Sequence, residues 1–100
     1  MKALIDGVVI AEAPDDTLVR IEGNWYFPPE SVVPGLLTES STPYTCPWKG
    51  ACQYFTANVG GAEHRDAAWS YPELRPGAVE RVGTDFAGYL AFSPGVEFAS

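Results

Sequence analysis

Thirteen acidic against six basic side chains in one hundred residues give a formal charge of −7, which argues against nucleic acid or an anionic membrane as partner, since both need a basic face. A hydrophobic fraction of 46% excludes a disordered chain, and ten glycines with nine prolines favour short strands and turns over long helices. No apolar run reaches the roughly 18 residues of a membrane helix, and the opening Met1-Lys2-Ala3-Leu4-Ile5-Asp6 meets an acid before a signal core develops. The expectation is a cytoplasmic protein folded as a single domain over residues 1–100.

In chain order, Ala3-Leu4-Ile5 and Val8-Val9-Ile10 flank Asp6-Gly7, a strong hairpin signal. Ala13-Pro14-Asp15-Asp16 is a turn, and Thr17 to Glu22 alternates as a strand. Gly23-Asn24 turns again into the aromatic strand Trp25-Tyr26-Phe27, which Pro28-Pro29 stops. One helical turn fits Pro29 to Val33, a short strand fits Leu36 to Glu39, and Ser40 to Pro47 is polar loop. Gln53 to Val59 is the longest central strand, joined by Gly60-Gly61 to a second one that continues through Ala67-Ala68-Trp69-Ser70-Tyr71 to Pro72. A second helical turn fits Ala78 to Val82, a strand runs from Phe86 to Phe92, and Ser93-Pro94-Gly95 returns the chain to Val96-Glu97-Phe98. Eight or nine short strands at near-regular spacing predict a mainly β domain of two antiparallel sheets, a sandwich or open barrel with one or two short helical turns.

Chemistry concentrates in Thr45-Cys46-Pro47-Trp48-Lys49-Gly50-Ala51-Cys52. Lys49 is the only basic residue between Ile21 and His64, a candidate anchor for an anion or a carbonyl, and desolvation would lower its pKa toward nucleophilicity. Read blandly, it is a solvated loop lysine. Cys46 is a candidate nucleophile whose only conventional base is the distant His64; the plain alternative is a small buried hydrophobe. Two cysteines six apart and one histidine do not supply a zinc site, so no metal and no cofactor are expected. Both thiols are expected reduced, though the spacing permits a bridge. Gly60-Gly61 lacks the context of a phosphate loop. The aromatics beside prolines, around Trp25-Tyr26-Phe27-Pro28 and Trp69-Ser70-Tyr71-Pro72, are placed to wall a pocket.

These stretches carry a resemblance. Tyr26-Phe27-Pro28, then Thr45-Cys46-Pro47-Trp48-Lys49-Gly50 with Tyr54, then Asp66-Ala67-Ala68-Trp69-Ser70-Tyr71-Pro72 and Ala87-Gly88-Tyr89-Leu90-Ala91-Phe92 resemble, in order along nearly the whole chain, the domain of unknown function family 427. The resemblance implies a tent-like fold of two antiparallel sheets pinned at one edge. It is a fold shared with methionine sulfoxide reductase B-type enzymes and with cereblon-like ligand-binding domains, whose relatives often hold zinc on paired cysteine knuckles that are missing here. The family's label suggests a nucleotidyltransferase, but neither an acidic metal pair nor a phosphate loop accompanies it. Carried onto this chain, the motif positions are Tyr26, Cys46, Trp48, Lys49, Gly50, Trp69, Tyr71 and Tyr89.

Three functions follow as expectations. The first is a binding module for a small polar or anionic molecule, walled by Trp69, Tyr71 and Tyr26 or Tyr89, with Lys49 pointing into that pocket and its ammonium over an indole. On this reading Lys49→Ala abolishes binding and leaves the melting temperature nearly unchanged. The second is an enzyme that uses Cys46 or Lys49, by thiol or amine chemistry or as a transferase. The third is a structural or protein-interaction domain without a ligand.

Overall fold

In the computed structural model, which describes residues 1–100, Asp6 at φ 49° and Gly7 at 78° turn β1 (Lys2–Ile5) back into β2 (Val8–Glu12). Two successive positive φ angles make the two-residue turn whose twist matches the strands it joins. Glu22 at 53° and Gly23 at 83° repeat the device between β3 (Val19–Ile21) and β4 (Asn24–Tyr26). The turn expected at Gly23-Asn24 therefore lies one residue earlier, and Asn24 pairs with Ile21. Thr17, expected in that strand, instead closes a 3-10 turn over Asp15–Thr17, where its hydroxyl donates to the Pro14 carbonyl at 2.7 Å.

A 3-10 turn at Pro29–Ser31 leads to β5 (Leu37–Glu39). The stretch expected to be loop up to Pro47 contains β6 (Thr45–Cys46), which pairs with β7 (Gly50–Ala51). β8 (Gln53–Val59) and β9 (Ala62–Ser70) form the long central hairpin, followed by α1 (Ala78–Val82), β10 (Leu90–Phe92) and β11 (Glu97–Ala99). The strand expected from Phe86 begins only at Leu90. Asp85 Oδ1 accepts the Ala87 N–H, Tyr89 N–H bonds back to the Phe86 carbonyl, and Gly88 takes φ 76°, so four residues of apparent strand are spent on a turn.

The strands assemble as a three-stranded sheet β11-β1-β2, a four-stranded sheet β10-β9-β8-β5 and the two small hairpins, all antiparallel, with no closed barrel. Alternation along β9 and β10 gives the larger sheet two buried faces. Ala68, Leu90 and Phe92 face one core with Ile5, Ile10 and Phe27. Tyr71 and Ala91 face a second with Ile21, Tyr26, Cys46 and Phe86, against which Trp48 and Trp69 pack. Phe27 and Leu90 exchange both backbone hydrogen bonds at 2.8 Å, docking the β3–β4 hairpin on the edge of the large sheet. No helix is long and apolar enough to cross a membrane.

Candidate functional site

That docking brings Tyr26, at the end of β4, over the face of β9. The Trp69 indole N–H donates to the Tyr26 hydroxyl at 3.2 Å. Tyr54 lies directly across from Trp69 in the β8–β9 ladder, the rings 6.4 Å apart. Tyr71 continues the face one alternation further.

Lys49 arrives from the other side, on the turn between β6 and β7. Its backbone carbonyl accepts the Arg75 N–H at 3.1 Å, and Gly50 lets the turn press against the segment after β9. Gly50 has φ 121°, and a Cβ there would stand 2.8 Å from the Glu73 carbonyl oxygen. Only glycine fits such an approach. The turn thus delivers Lys49 into the protein: the residue is 4% exposed, so the solvated-lysine reading does not hold.

The Lys49 ammonium donates to Glu22, whose side chain remains 57% exposed. It also sits 4.5 Å from the Trp48 ring centroid and 5.3 Å from that of Tyr71, contacts worth about 0.5–2 kcal/mol each. The indole expected beneath it in the pocket, Trp69, is not the one it touches. Burial would lower the lysine pKa, but the hydrogen bond to Glu22 and the proximity of Tyr26 and Cys46 outweigh it and hold the pKa above the usual value. The expectation of a desolvated, nucleophilic amine is corrected: Lys49 is a fixed cation and hydrogen-bond donor at neutral pH.

Glu22, Asn24, Tyr26, Tyr44, Lys49, Tyr54, Trp69 and Tyr71 line one cleft of about 280 Å³. Its lining sets one ammonium and one indole N–H against one carboxylate, with four hydroxyls and an amide that serve either way. Lys49 has protons beyond the one given to Glu22, and the Tyr26 hydroxyl, which accepts from Trp69, still has its own to give. Burial pushes the Tyr26 and Tyr71 hydroxyls up, so both stay protonated. The cleft therefore suits a hydrogen-bond acceptor, a carbonyl or carboxylate, carried on a planar or apolar body that lies against the rings. Its volume lies just below the usual range of small-molecule pockets.

Of the motif positions, Tyr26, Lys49, Trp69 and Tyr71 meet in this cleft. Trp48 lies beside it, edge-on to Phe86 and lining a neighbouring cleft. Cys46 is buried and Cys52 half-buried, both as free thiols. Burial opposes ionisation of Cys46, but the backbone N–H groups of Lys49 and Trp48 and the lysine charge draw its pKa below the usual value; burial pushes Cys52 up. Cys46 does not line the cleft, and neither does Tyr89, which packs against the second core. His64 is remote, 3.5 Å from Asp6 near the first hairpin, so it supplies no base to Cys46. No group of three or more His, Cys, Asp or Glu side chains is arranged to hold a metal ion.

The sequence reading missed Glu22, Asn24, Tyr44 and Tyr54. Glu22 gave no signal, because its place in the turn, at φ 53°, appears only once the turn lies one residue before Gly23-Asn24. Tyr44 is delivered by a tether. The Thr42 hydroxyl donates to Asp66 Oδ2 at 2.7 Å, and Asp66 sits at φ 53° where the β8–β9 register shifts.

A family model described as a domain of unknown function, DUF427, matches residues 1–98. No curated protein matches the chain.

Proposed function

The chain belongs to the DUF427 family of domains of unknown function, and we propose that this member is a binding module for a small molecule with a planar or apolar body and a carboxylate or carbonyl group. The observation that carries this reading is the asymmetry of the Lys49–Glu22 pair. The cation is buried and stays charged, while its partner stands mostly in water. A buried ammonium needs an anionic or polar partner, but that partner need not be Glu22. A ligand carboxylate entering between the rings replaces the glutamate on Lys49, and Glu22 returns to solvent at little cost. The acceptor oxygen meets Lys49 and Tyr26, and the body lies against Trp69, Tyr54 and Tyr71.

An amine-based enzyme is disfavoured by the raised Lys49 pKa, and a thiol-based one by the burial of Cys46 away from the cleft. A purely structural domain leaves the unused Tyr26 proton without a role. Native mass spectrometry of gently purified protein tests the reading. It is supported by a small co-purified mass lost in Lys49→Met, and opposed if added small aromatic carboxylates and lactams also leave no adduct.

A further inference from the structure

Glu22 lines the cleft beside the lysine that it pairs with. Its backbone is set by the turn between β3 and β4, at φ 53° with Gly23 at 83° after it. On leaving Lys49, the carboxylate therefore moves by no more than the length of its own side chain. Only Oε1 is engaged by the ammonium, and Oε2 accepts no hydrogen bond. Beyond the effects of burial and of the Trp69 hydrogen bond, the Lys49 charge favours ionisation of the Tyr26 hydroxyl and Glu22 opposes it. Cation, anion and hydroxyl thus meet in one part of the lining, with the Trp69 indole bonded to that hydroxyl.

A ligand carboxylate that takes the place of Glu22 on Lys49 puts two carboxylates near one ammonium, in a chain that already carries a net charge of −7. Like charges that close repel, and only the water around the 57% exposed glutamate softens the effect. Arg20 and Arg81 share a neighbouring lining with Glu22, but neither forms an ion pair with it. A ligand with a positive group beside its carboxylate cancels the repulsion and gives the released glutamate a partner. It also enters without net charge. An ammonium suits the remaining walls too, since the faces of tyrosine and tryptophan rings attract a cation.

We infer that the ligand of this cleft is a small zwitterion, an α-amino acid with an apolar or aromatic side chain. Its carboxylate meets Lys49, its ammonium meets Glu22, and its side chain lies against the rings. This rests on the reading of Lys49 as the carboxylate anchor and adds Glu22 as the residue that selects for the ammonium.

The probes share one phenyl body: phenylalanine, hydrocinnamate, which lacks the ammonium, and phenethylamine, which lacks the carboxylate. Each is titrated at neutral pH and constant ionic strength into wild type, Lys49→Met and Glu22→Gln, with the Trp69 indole N–H resonance as reporter. Phenylalanine is expected to bind wild type about fivefold or more tightly than hydrocinnamate, and phenethylamine more weakly than phenylalanine. Glu22→Gln should weaken phenylalanine and tighten hydrocinnamate, so that the preference between them disappears or inverts. Glu22 is largely exposed and glutamine keeps its shape, so this variant should fold, and a thermal melt checks it. The inference is overturned if hydrocinnamate or phenethylamine binds as tightly as phenylalanine, or if Glu22→Gln leaves the ranking unchanged. In those cases a hydrocinnamate shift that is lost in folded Lys49→Met preserves the carboxylate reading. No saturable shift from any of the probes, or phenylalanine binding that is unchanged in Lys49→Met, overturns both.

Discussion

Lys49 and Glu22 form an ion pair whose partners differ in their access to water: 5% of the lysine side chain is exposed against 57% of the glutamate's. The lysine is fixed by a glycine-dependent turn and two aromatic rings, the glutamate only by its position in a tight turn. A pair built this way holds the cation still and leaves its anion mostly in water.

The burial of Lys49 changes what its substitution does. Lys49→Ala removes a packed aliphatic stem and leaves Glu22, Trp48 and Tyr71 without their contact, so the melting temperature falls, by about 1–3 kcal/mol of stability. The expectation of an unchanged melting temperature is thus revised. Lys49→Met keeps most of the stem and should recover most of that loss while still lacking the charge. Thermal melts of the two variants side by side check this; equal losses would show that packing is not what the alanine removes.

Gly50→Ala should cost about 2 kcal/mol or more, because the added Cβ meets the Glu73 carbonyl at 2.8 Å in a conformation that L side chains rarely adopt. Gly35→Ala is the comparison: φ is also positive there, but no atom lies within 4 Å, so only the backbone strain of about 1 kcal/mol remains. Denaturant midpoints measure both. Equal effects would mean that the contact with Glu73 contributes nothing.

The neighbouring hydroxyls of Ser40 and Thr42, the latter donating to Asp66 Oδ2 at 2.7 Å, hold the Asp66 carboxyl below the ordinary value of 3.8. A depressed carboxylate pKa stabilises the fold above the unfolded value, and that contribution is lost as pH falls through the folded one. Asp66→Asn tolerates the left-handed backbone but lacks the charge. The gap in melting temperature between wild type and variant should therefore be full at neutral pH and close as pH drops below 3.8. A gap that is constant with pH would remove the carboxylate from the account.

Cys46 combines a thiol drawn toward ionisation with 5% exposure. Access should win: a bulky alkylating reagent at neutral pH should label Cys46 slowly in the folded protein and quickly after unfolding. Peptide mapping of the labelled sites decides. Rapid labelling of folded Cys46 would restore a thiol-based reaction.

What the sequence could reveal was governed by distance along the chain. Asp6-Gly7, Gly60-Gly61 and the alternation of β8 and β9 are local signals, and they produced hairpins and strands close to their expected bounds. The aromatic bulk from Phe86 to Tyr89 was misleading, since β propensity does not register a turn that Asp85 caps and Gly88 permits. Lys49, Trp69 and Tyr71 were conspicuous as residue types. Their partner Glu22 lies 27 positions from Lys49, and only the docking of one hairpin on another sheet brings it there. The direction of the lysine pKa was illegible for the same reason: without Glu22, burial alone argues for a decrease.

The most direct test is a titration with benzoate, a small planar carboxylate, followed by the Trp69 indole N–H resonance in wild type, Lys49→Met and Glu22→Gln. The account predicts a saturable shift in wild type, its loss in the folded methionine variant, and tighter binding in Glu22→Gln, where the competing carboxylate is gone. A Trp69 shift of equal affinity in wild type and Lys49→Met, or weaker binding in Glu22→Gln, would contradict the exchange of ligand for Glu22 on Lys49.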